Sequence, residues 1–204
     1  MTLSLCVYCG SRDGDLPLFR QSAVDVGDSI GRRGWRLVYG GGSTGLMGAV
    51  ADAALQAGAE VLGVIPEKLM VREMGHGGVT ELQVVGNMHE RKHQMALHSD
   101  AFVALPGGIG TMEEIFEVWT WRQLGYHRKA LGLLNVGGYY DELLRFIERS
   151  KDHGFLWPDV QELLLVDTDA ERLLDRLAAE ADRLKTNTPP DEALVASGGV
   201  SDQI

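Results

Sequence analysis

The strongest chemical signal in this 204-residue sequence is a glycine-rich stretch that joins an apolar segment to a helical one. Residues 101–105 are apolar, and Pro106-Gly107-Gly108-Ile109-Gly110-Thr111 follows them directly. Glycines at a strand-to-helix junction let the backbone turn sharply and approach a ligand closely. The helix that follows offers unpaired N–H groups and a positive dipole end, which suit a phosphate. The stretch predicts an anion-binding turn with the carboxylate of Glu114 beside the bound group.

Glu114 permits two interpretations. With Thr111 as the N-cap, Glu114 stands three residues later, as in a capping box. Glu114 also shares a helical stripe with Val118 and Trp121, so its carboxylate is expected to lean toward a partly apolar environment that suits acid–base chemistry. A cap does not require the three preceding glycines. Both interpretations remain open on the sequence alone.

Arg91 is the second residue whose position suggests chemistry. It falls on the line Met88, Arg91, Met95, which is otherwise apolar at helical spacing. An arginine directed inward needs an anionic partner. The alternative is a side chain that extends to the edge of the helix and keeps its charge in water.

A second glycine loop matches a dinucleotide-binding pattern. Residues 40–45 read Gly-Gly-Gly-Ser-Thr-Gly, a G-x-G-x-x-G match between a predicted strand and a predicted helix. The dinucleotide site also requires an acidic residue at the end of the next strand. That strand ends at Pro66, with Glu67 just beyond it, so the match is partial. A general phosphate or ribose cradle, or simply a tight turn, is favoured over NAD binding.

Two further segments match known metal-binding and redox motifs, but the residues around them do not suit that chemistry. Residues 89–93 fit H-E-x-x-H, but a zinc site needs a further ligand, and the cations Arg91 and Lys92 between the histidines would oppose a dication. Cys6 and Cys9 fit C-x-x-C, but their odd spacing within a strand directs them to opposite faces. We predict no metal site, and two buried, inert thiols.

Strands and helices alternate along the chain. The sequence predicts strands over residues 3–9, 35–39, 60–65, 79–85, 101–105, 130–135 and 163–166, and helices over residues 16–31, 46–57, 88–99, 111–124, 139–151 and 170–184. This alternation predicts an α/β fold with a mostly parallel sheet and helices on both faces. Residues 1–186 are expected to form one domain and residues 187–204 a loosely ordered tail.

Ligands of such sheets bind at the carboxyl ends of the strands. Ser11, residues 40–45, Glu73 and residues 106–111 all fall at or near such ends. These segments are therefore expected to meet at one edge of the sheet.

The composition limits the classes of partner that the protein is expected to bind. The formal net charge is -10 and the sequence pI about 5.0, which argues against nucleic acid or an anionic membrane as the main partner. No apolar run reaches the ~18 residues of a membrane span, and no signal peptide is evident. Two cysteines suggest no disulfide framework, so the expected location is the cytoplasm.

Two motifs together are similar to the paired signature of the LOG (Lonely Guy) family, the cytokinin riboside 5′-monophosphate phosphoribohydrolases. The first is Met88-His89-Glu90-Arg91-Lys92. The second, Pro106 to Glu114, meets the pattern P-G-G-x-G-T-x-x-E at every fixed position. Residues 9–11 and 40–48 also resemble this family, and the resemblance covers roughly residues 5–167.

The resemblance implies a Rossmann-like, doubly wound fold, a homodimer, and Arg91 and Glu114 as the catalytic pair. It implies substrate contacts from Ser11, Gly42, Glu73, Lys92, Gly107, Gly108, Gly110, Thr111 and Thr120. The expected reaction is hydrolysis of the N-glycosidic bond of adenine-type nucleoside 5′-monophosphates, with no metal and no cofactor. The alternatives are a non-catalytic nucleotide-binding module and, behind it, an NAD-dependent oxidoreductase. Some members carry a lysine decarboxylase label, but no lysine here has a recognisable context for pyridoxal chemistry.

Overall fold

A computed structural model describes residues 2–71 and 74–186 of the chain, and these residues contain one seven-stranded sheet. The strands are β1 Ser4–Tyr8, β2 Arg36–Tyr39, β3 Glu60–Pro66, β4 Glu81–Val85, β5 Ala101–Ala104, β6 Ala130–Leu134 and β7 Leu164–Asp167. The helices are α1 Pro17–Arg32, α2 Gly45–Gln56, α3 Met88–Leu97, α4 Ile109–Gln123, α5 Asp141–Asp152, α6 Pro158–Glu162 and α7 Ala170–Thr186. Two short 3-10 turns, Glu67–Leu69 and Val136–Gly138, complete the regular structure of these residues.

The strand order is β4-β3-β2-β1-β5-β6-β7, and every neighbouring pair is parallel. One hydrophobic core joins the sheet to α1, α2 and α7, and a second core joins the opposite face to α3, α4, α5 and α6. The predicted α/β, Rossmann-like, doubly wound architecture with helices on both faces is confirmed.

The first strand shows how the sequence specifies both faces. Leu5 and Val7 belong to the core beneath α1 and α2, whereas Cys6 and Tyr8 belong to the core beneath α3 and α4. Cys6 and Cys9 are free and lie in different cores, as their spacing predicts. Burial raises the pKa of the Cys6 thiol to about 12, so this thiol is protonated at neutral pH.

Each of the six predicted helices begins and ends within two residues of its predicted bounds, and the two notable differences are the start of α4 and the additional helix α6. Helix α4 begins at Ile109, two residues before the predicted start, with Gly108 as its N-cap. The short helix α6 was not predicted, because five residues that begin with Pro158 are too few to establish a period. The predicted tail over residues 187–204 lies outside the described residues. Within the described residues, none of the helices has the length and apolar character needed to span a bilayer.

The chain runs outward from β1 in two directions, first through β2 to β4 and then from β5 to β7. The switch point therefore lies between the adjacent strands β1 and β5. In the register, Val7 is paired with both Tyr39 and Val103, so β1, β2 and β5 end at nearly the same level. A crevice outside this point is where doubly wound sheets bind ligands.

Candidate active site

Three turns meet at the switch point and hold one another in place. They are residues 10–12 after β1, residues 40–44 before α2, and residues 106–108 after β5. The Gly10 N–H donates to the Pro106 carbonyl at 3.0 Å, and the Gly10 carbonyl accepts from the N–H groups of Leu46 at 3.0 Å and Met47 at 3.3 Å. The backbone of Gly10 thus joins the first turn both to the turn after β5 and to the start of α2.

Two adjoining cavities open at this edge. The first, of about 730 Å³, extends toward Phe19 and Tyr139, and the second, of about 590 Å³, extends toward Leu69 and Met88. The residues that line both cavities are Ser11, Arg12, Arg91, Gly110 and Glu114. The predicted catalytic pair therefore lies on the wall common to both cavities.

The start of α4 forms one side of the first cavity. The first intrahelical hydrogen bond of α4 runs from the Met112 N–H to the Gly108 carbonyl at 3.1 Å. The N–H groups of Ile109, Gly110 and Thr111 therefore have no partner within the helix. A Cβ on Gly108 or Gly110 would meet no protein atom within 4 Å in the described part of the chain. The helix start thus combines backbone donors with open space, as an anion site requires.

The capping-box interpretation of Glu114 is wrong. Gly108 is the N-cap, without a side-chain cap, so Glu114 lies more than one turn into the helix. Thr111 is only 3% exposed, and its Oγ1 would lie 2.1 Å from a Cβ on Gly107. The Thr111 side chain is thus folded over Gly107, and Glu114 faces both cavities instead of the helix terminus.

The charge of Glu114 acts on the end of β1. Burial raises the pKa of the Cys9 thiol well above its usual range, and the negative charge of Glu114 raises it further. Cys9 also lines the first cavity. The half-buried carboxylate of Glu114 therefore lies close to the carboxyl end of the sheet.

Arg91 is held as a fixed cation. Helix α3 is capped by Asn87, whose Oδ1 accepts from the Glu90 N–H at 2.9 Å. Arg91 is 5% exposed, and its Nε donates to the Val64 carbonyl at 3.1 Å and its Nη2 to the Gly40 carbonyl at 2.8 Å. The alternative of an arginine that extends to the helix edge is wrong. Because these carbonyls belong to β3 and to the turn after β2, the sheet itself positions the guanidinium.

The glycines of the second loop accommodate protein atoms. A Cβ on Gly40 would lie 2.1 Å from Arg91 Nη2, and a Cβ on Gly45 would lie 2.3 Å from the backbone nitrogen of Arg12. The loop is further tied down by a bridge between Gly42 and Gly75 and by the Ser43 hydroxyl, which donates to the Met74 carbonyl at 2.6 Å. Of the interpretations left open for this loop, a packed tight turn accounts for its glycines.

The other residues predicted to contact the substrate do not all lie at the cavities. Ser11, Gly107, Gly108, Gly110 and Thr111 line the first cavity, and Gly42 is buried in the packed loop. Lys92 is 9% exposed and forms ion pairs with Glu113 and, at 3.0 Å, with Glu117, so it adjoins the second cavity through Glu113. Thr120 lies exposed on α4, outside both linings, where its hydroxyl donates to the Phe116 carbonyl at 2.7 Å. Glu73 lies outside the described residues.

Several cavity residues were not predicted from the sequence. Arg12 lines both cavities and follows Ser11 at the end of β1, a position that could have singled it out. Tyr139 donates through its hydroxyl to the Gly107 carbonyl at 2.6 Å, and its ring packs edge-on against Phe19 with centroids 5.3 Å apart. Nothing in the local sequence marks Tyr139 as part of the site.

The H-E-x-x-H match lies on the outer face of α3. His89 and His93 are both exposed, and the Glu90 carboxylate accepts from the Gly86 N–H at 2.9 Å. Across residues 2–71 and 74–186, no group of three or more His, Cys, Asp or Glu side chains could hold a metal ion.

Comparison with known proteins identifies relatives over most of the chain. The profile of a family described as "Possible lysine decarboxylase" matches residues 47–177. The chain is 49% identical to cytokinin riboside 5′-monophosphate phosphoribohydrolase LOG3 of Arabidopsis thaliana over 173 residues, which are 85% of this chain and 80% of the relative. It is also 49% identical to the probable cytokinin riboside 5′-monophosphate phosphoribohydrolase LOGL3 of Oryza sativa, over 84% of this chain and 82% of the relative.

Solved structures with the same fold have more distant sequences. The molybdenum cofactor binding protein from Rippkaea orientalis superposes with a TM-score of 0.67 at 21% identity, over 88% of this chain and 97% of that one. The Moco carrier protein from Chlamydomonas reinhardtii superposes with a TM-score of 0.68 at 20% identity, over 90% of this chain and 99% of that one. At these identities the likeness concerns the fold alone.

Proposed function

The chain belongs to the LOG family of cytokinin riboside 5′-monophosphate phosphoribohydrolases, and from this premise we propose that it hydrolyses adenine-type nucleoside 5′-monophosphates. The products are the free base and ribose 5-phosphate. The substrates we propose are AMP and its N6-substituted, cytokinin-type derivatives. The observation that carries the proposal is that Glu114 and Arg91 share the wall of two cavities beside an open helix N-terminus.

The first requirement of the reaction is to hold the nucleotide. The N–H groups of Ile109, Gly110 and Thr111 would bind the 5′-phosphate, since a helix N-terminus favours an anion. The absence of side chains at Gly108 and Gly110 leaves room for the phosphate oxygens to approach these donors. Binding energy gained at the phosphate can then be used to hold the ribose against Glu114.

The second requirement is to stabilise the ribosyl cation. Cleavage of the bond between C1′ of the ribose and the base nitrogen leaves positive charge on the ribose ring, and water then forms the new bond to C1′. A carboxylate beside C1′ stabilises this charge and orients or deprotonates the water, as in glycosidases. We assign this role to Glu114, which faces both cavities.

The third requirement concerns the leaving base. Arg91 is fixed by the carbonyls of Val64 and Gly40, so its charge does not have to be repositioned during the reaction. Such a cation favours the ionised form of a neighbouring carboxylate and can stabilise the negative charge that develops on the base. With the phosphate at α4, the base would occupy the second cavity, where Leu69 and Met88 supply apolar surface.

The family description "Possible lysine decarboxylase" suggests different chemistry, which the site does not support. Decarboxylation of lysine normally uses a pyridoxal group bound to a lysine side chain. None of the described residues that line the two cavities is a lysine. The buried Lys92 is instead engaged by Glu113 and Glu117.

The decisive experiment is a base-release assay with Glu114→Gln. We expect the wild type to release adenine from AMP and from prenylated AMP, and the variant to lose at least about 1,000-fold in kcat with an unchanged circular dichroism spectrum. Wild-type turnover by the variant would contradict the assignment of Glu114. If the wild type binds AMP without releasing base, the protein is instead a nucleotide-binding module, and saturable NAD binding would favour an oxidoreductase.

Assembly and location rest on membership in the family. A homodimer is expected from it, and light scattering on the same preparation tests this against the 22.2 kDa of one chain. A cytoplasmic location remains a proposal, which fractionation of the source cells would test.

A further inference from the structure

Arg12 stands on a rigid turn at the centre of the site. A Cβ on Gly45 would lie 2.3 Å from the Arg12 nitrogen and 2.5 Å from its Cα, so the backbone of Arg12 is packed directly against the start of α2. The hydrogen bonds of Gly10 fix the same turn from both sides. The side chain therefore projects from a fixed point and lines both cavities.

The charge of Arg12 is not used within the described protein. Across residues 2–71 and 74–186, its guanidinium takes part in no ion pair and no hydrogen bond. The adjacent carboxylate of Asp13 is engaged by Arg20 at 2.6 Å, so it does not compete for Arg12. By contrast, Arg91, the other arginine common to both cavities, is bonded to two carbonyls.

An unengaged guanidinium at a ligand cavity is suited to an oxyanion, because its planar donors match carboxylate and phosphate oxygens. The only anionic group of the proposed substrate is its 5′-phosphate. We propose that Arg12 binds this phosphate opposite the N-terminus of α4 and makes the site specific for monophosphates over nucleosides. This inference rests on the proposed function, and it adds a specificity residue that neither the predicted contacts nor the predicted catalytic pair includes.

The two sides of this phosphate site differ in kind. Helix α4 offers backbone donors at fixed positions, whereas Arg12 offers a full charge on an exposed side chain. A hydrogen bond to a charged group contributes more than one between neutral groups. Arg12 is therefore expected to govern the affinity for the phosphate, while Glu114 governs the chemical step.

The test compares Arg12→Gln, Arg12→Lys and the charge-matched control Arg145→Gln. Arg145 is exposed on α5 and pairs with Glu142, away from both cavities. For Arg12→Gln we expect the KM for AMP to rise about 10- to 100-fold, with kcat within a few-fold of wild type. Arg12→Lys should restore part of the affinity, and the control should match wild type. An unchanged KM, or a loss confined to kcat, would overturn the proposal.

A binding measurement separates this inference from the proposed function. Calorimetric titration with ribose 5-phosphate needs no turnover, and we expect affinity in the wild type and the control that falls at least 10-fold in Arg12→Gln. If AMP is not hydrolysed but this pattern holds, the proposed function fails and the role of Arg12 stands. Equal affinity in all variants, or none in the wild type, refutes the role of Arg12 whatever the activity.

Discussion

Both glycine-rich loops of this protein follow a strand and lead into a helix, but the space beside their glycines differs. At Gly40 and Gly45, a Cβ would meet Arg91 and the backbone of Arg12 at 2.1 and 2.3 Å. At Gly108 and Gly110, a Cβ would meet no described atom within 4 Å. Gly40 and Gly45 lack side chains because protein atoms fill the space, whereas Gly108 and Gly110 leave space for a ligand. Glycine content alone does not distinguish the two cases. The atoms that surround the position of a Cβ on each glycine do.

The sharpest test of the packed loop is Gly45→Ala, for which we expect the largest effect. The new methyl group would overlap the backbone of Ser11 and Arg12, and Gly45 has φ of 59°, which disfavours a side chain. The free energy of unfolding should fall by about 2–4 kcal/mol, with a Tm lower by about 5–15 °C. Thermal unfolding checks this against Gly77→Ala, whose Cβ would contact nothing within 4 Å of the described protein. Identical melting of the two variants would show that the loop is not tightly packed.

Gly40→Ala should affect activity more than stability. Its methyl group would displace the Arg91 guanidinium, a side chain that can move, whereas the atoms beside Gly45 are backbone. We expect kcat/KM for AMP to fall about 100-fold, because a catalytic cation is moved from its position. Steady-state kinetics and thermal unfolding of the same samples provide the measurement. Full activity would mean that the contact between Gly40 and Arg91 does not position the cation.

Gly110→Ala should show the smallest effect of the three. In contrast to Gly45→Ala, it should weaken substrate binding without lowering stability. Alanine in a helix is favoured over glycine by about 0.5–1 kcal/mol, so the Tm should be unchanged or higher. The added methyl group would occupy the space we assign to phosphate, and the KM for AMP should rise about 10-fold. A destabilised variant, or one with the KM of wild type, would remove the distinction between the two loops.

Much of the fold follows from local sequence, because buried parallel strands are continuous apolar runs and the helices have their own period. The pattern around Cys6 and Cys9 correctly predicts two faces. The start of α4 was misplaced because Thr111 followed by Glu114 fits a capping box, whereas the structure uses the open N-cap Gly108. The decisive interaction, Thr111 folded over Gly107, is a packing contact that composition does not encode.

The site was only partly predictable, for a similar reason. Glu114 and Arg91 stand in patterned helices, so their spacing draws attention to them. Tyr139 reaches Gly107 across 32 residues, and this contact exists only because β6 lies beside β5 in the sheet. The role proposed for Arg12 rests on a guanidinium that pairs with no group in residues 2–71 and 74–186, which no single sequence reveals. The pattern of a helix thus identifies Glu114 and Arg91, whereas the contacts that fix Tyr139 and the Arg91 guanidinium come from other elements of the sheet.

The two backbone hydrogen-bonding groups of Gly10 have a consequence for building chimeras between this protein and its relatives. The Gly10 N–H holds the turn after β5, and the Gly10 carbonyl holds the first turn of α2. The conformation of each turn therefore depends on the other two. If only one loop is taken from a relative, it would contact two turns that differ from those it packs against in that relative. Substrate preference should therefore be transplanted as a set of three segments, residues 9–12, 40–48 and 105–114, with the joins placed inside the strands.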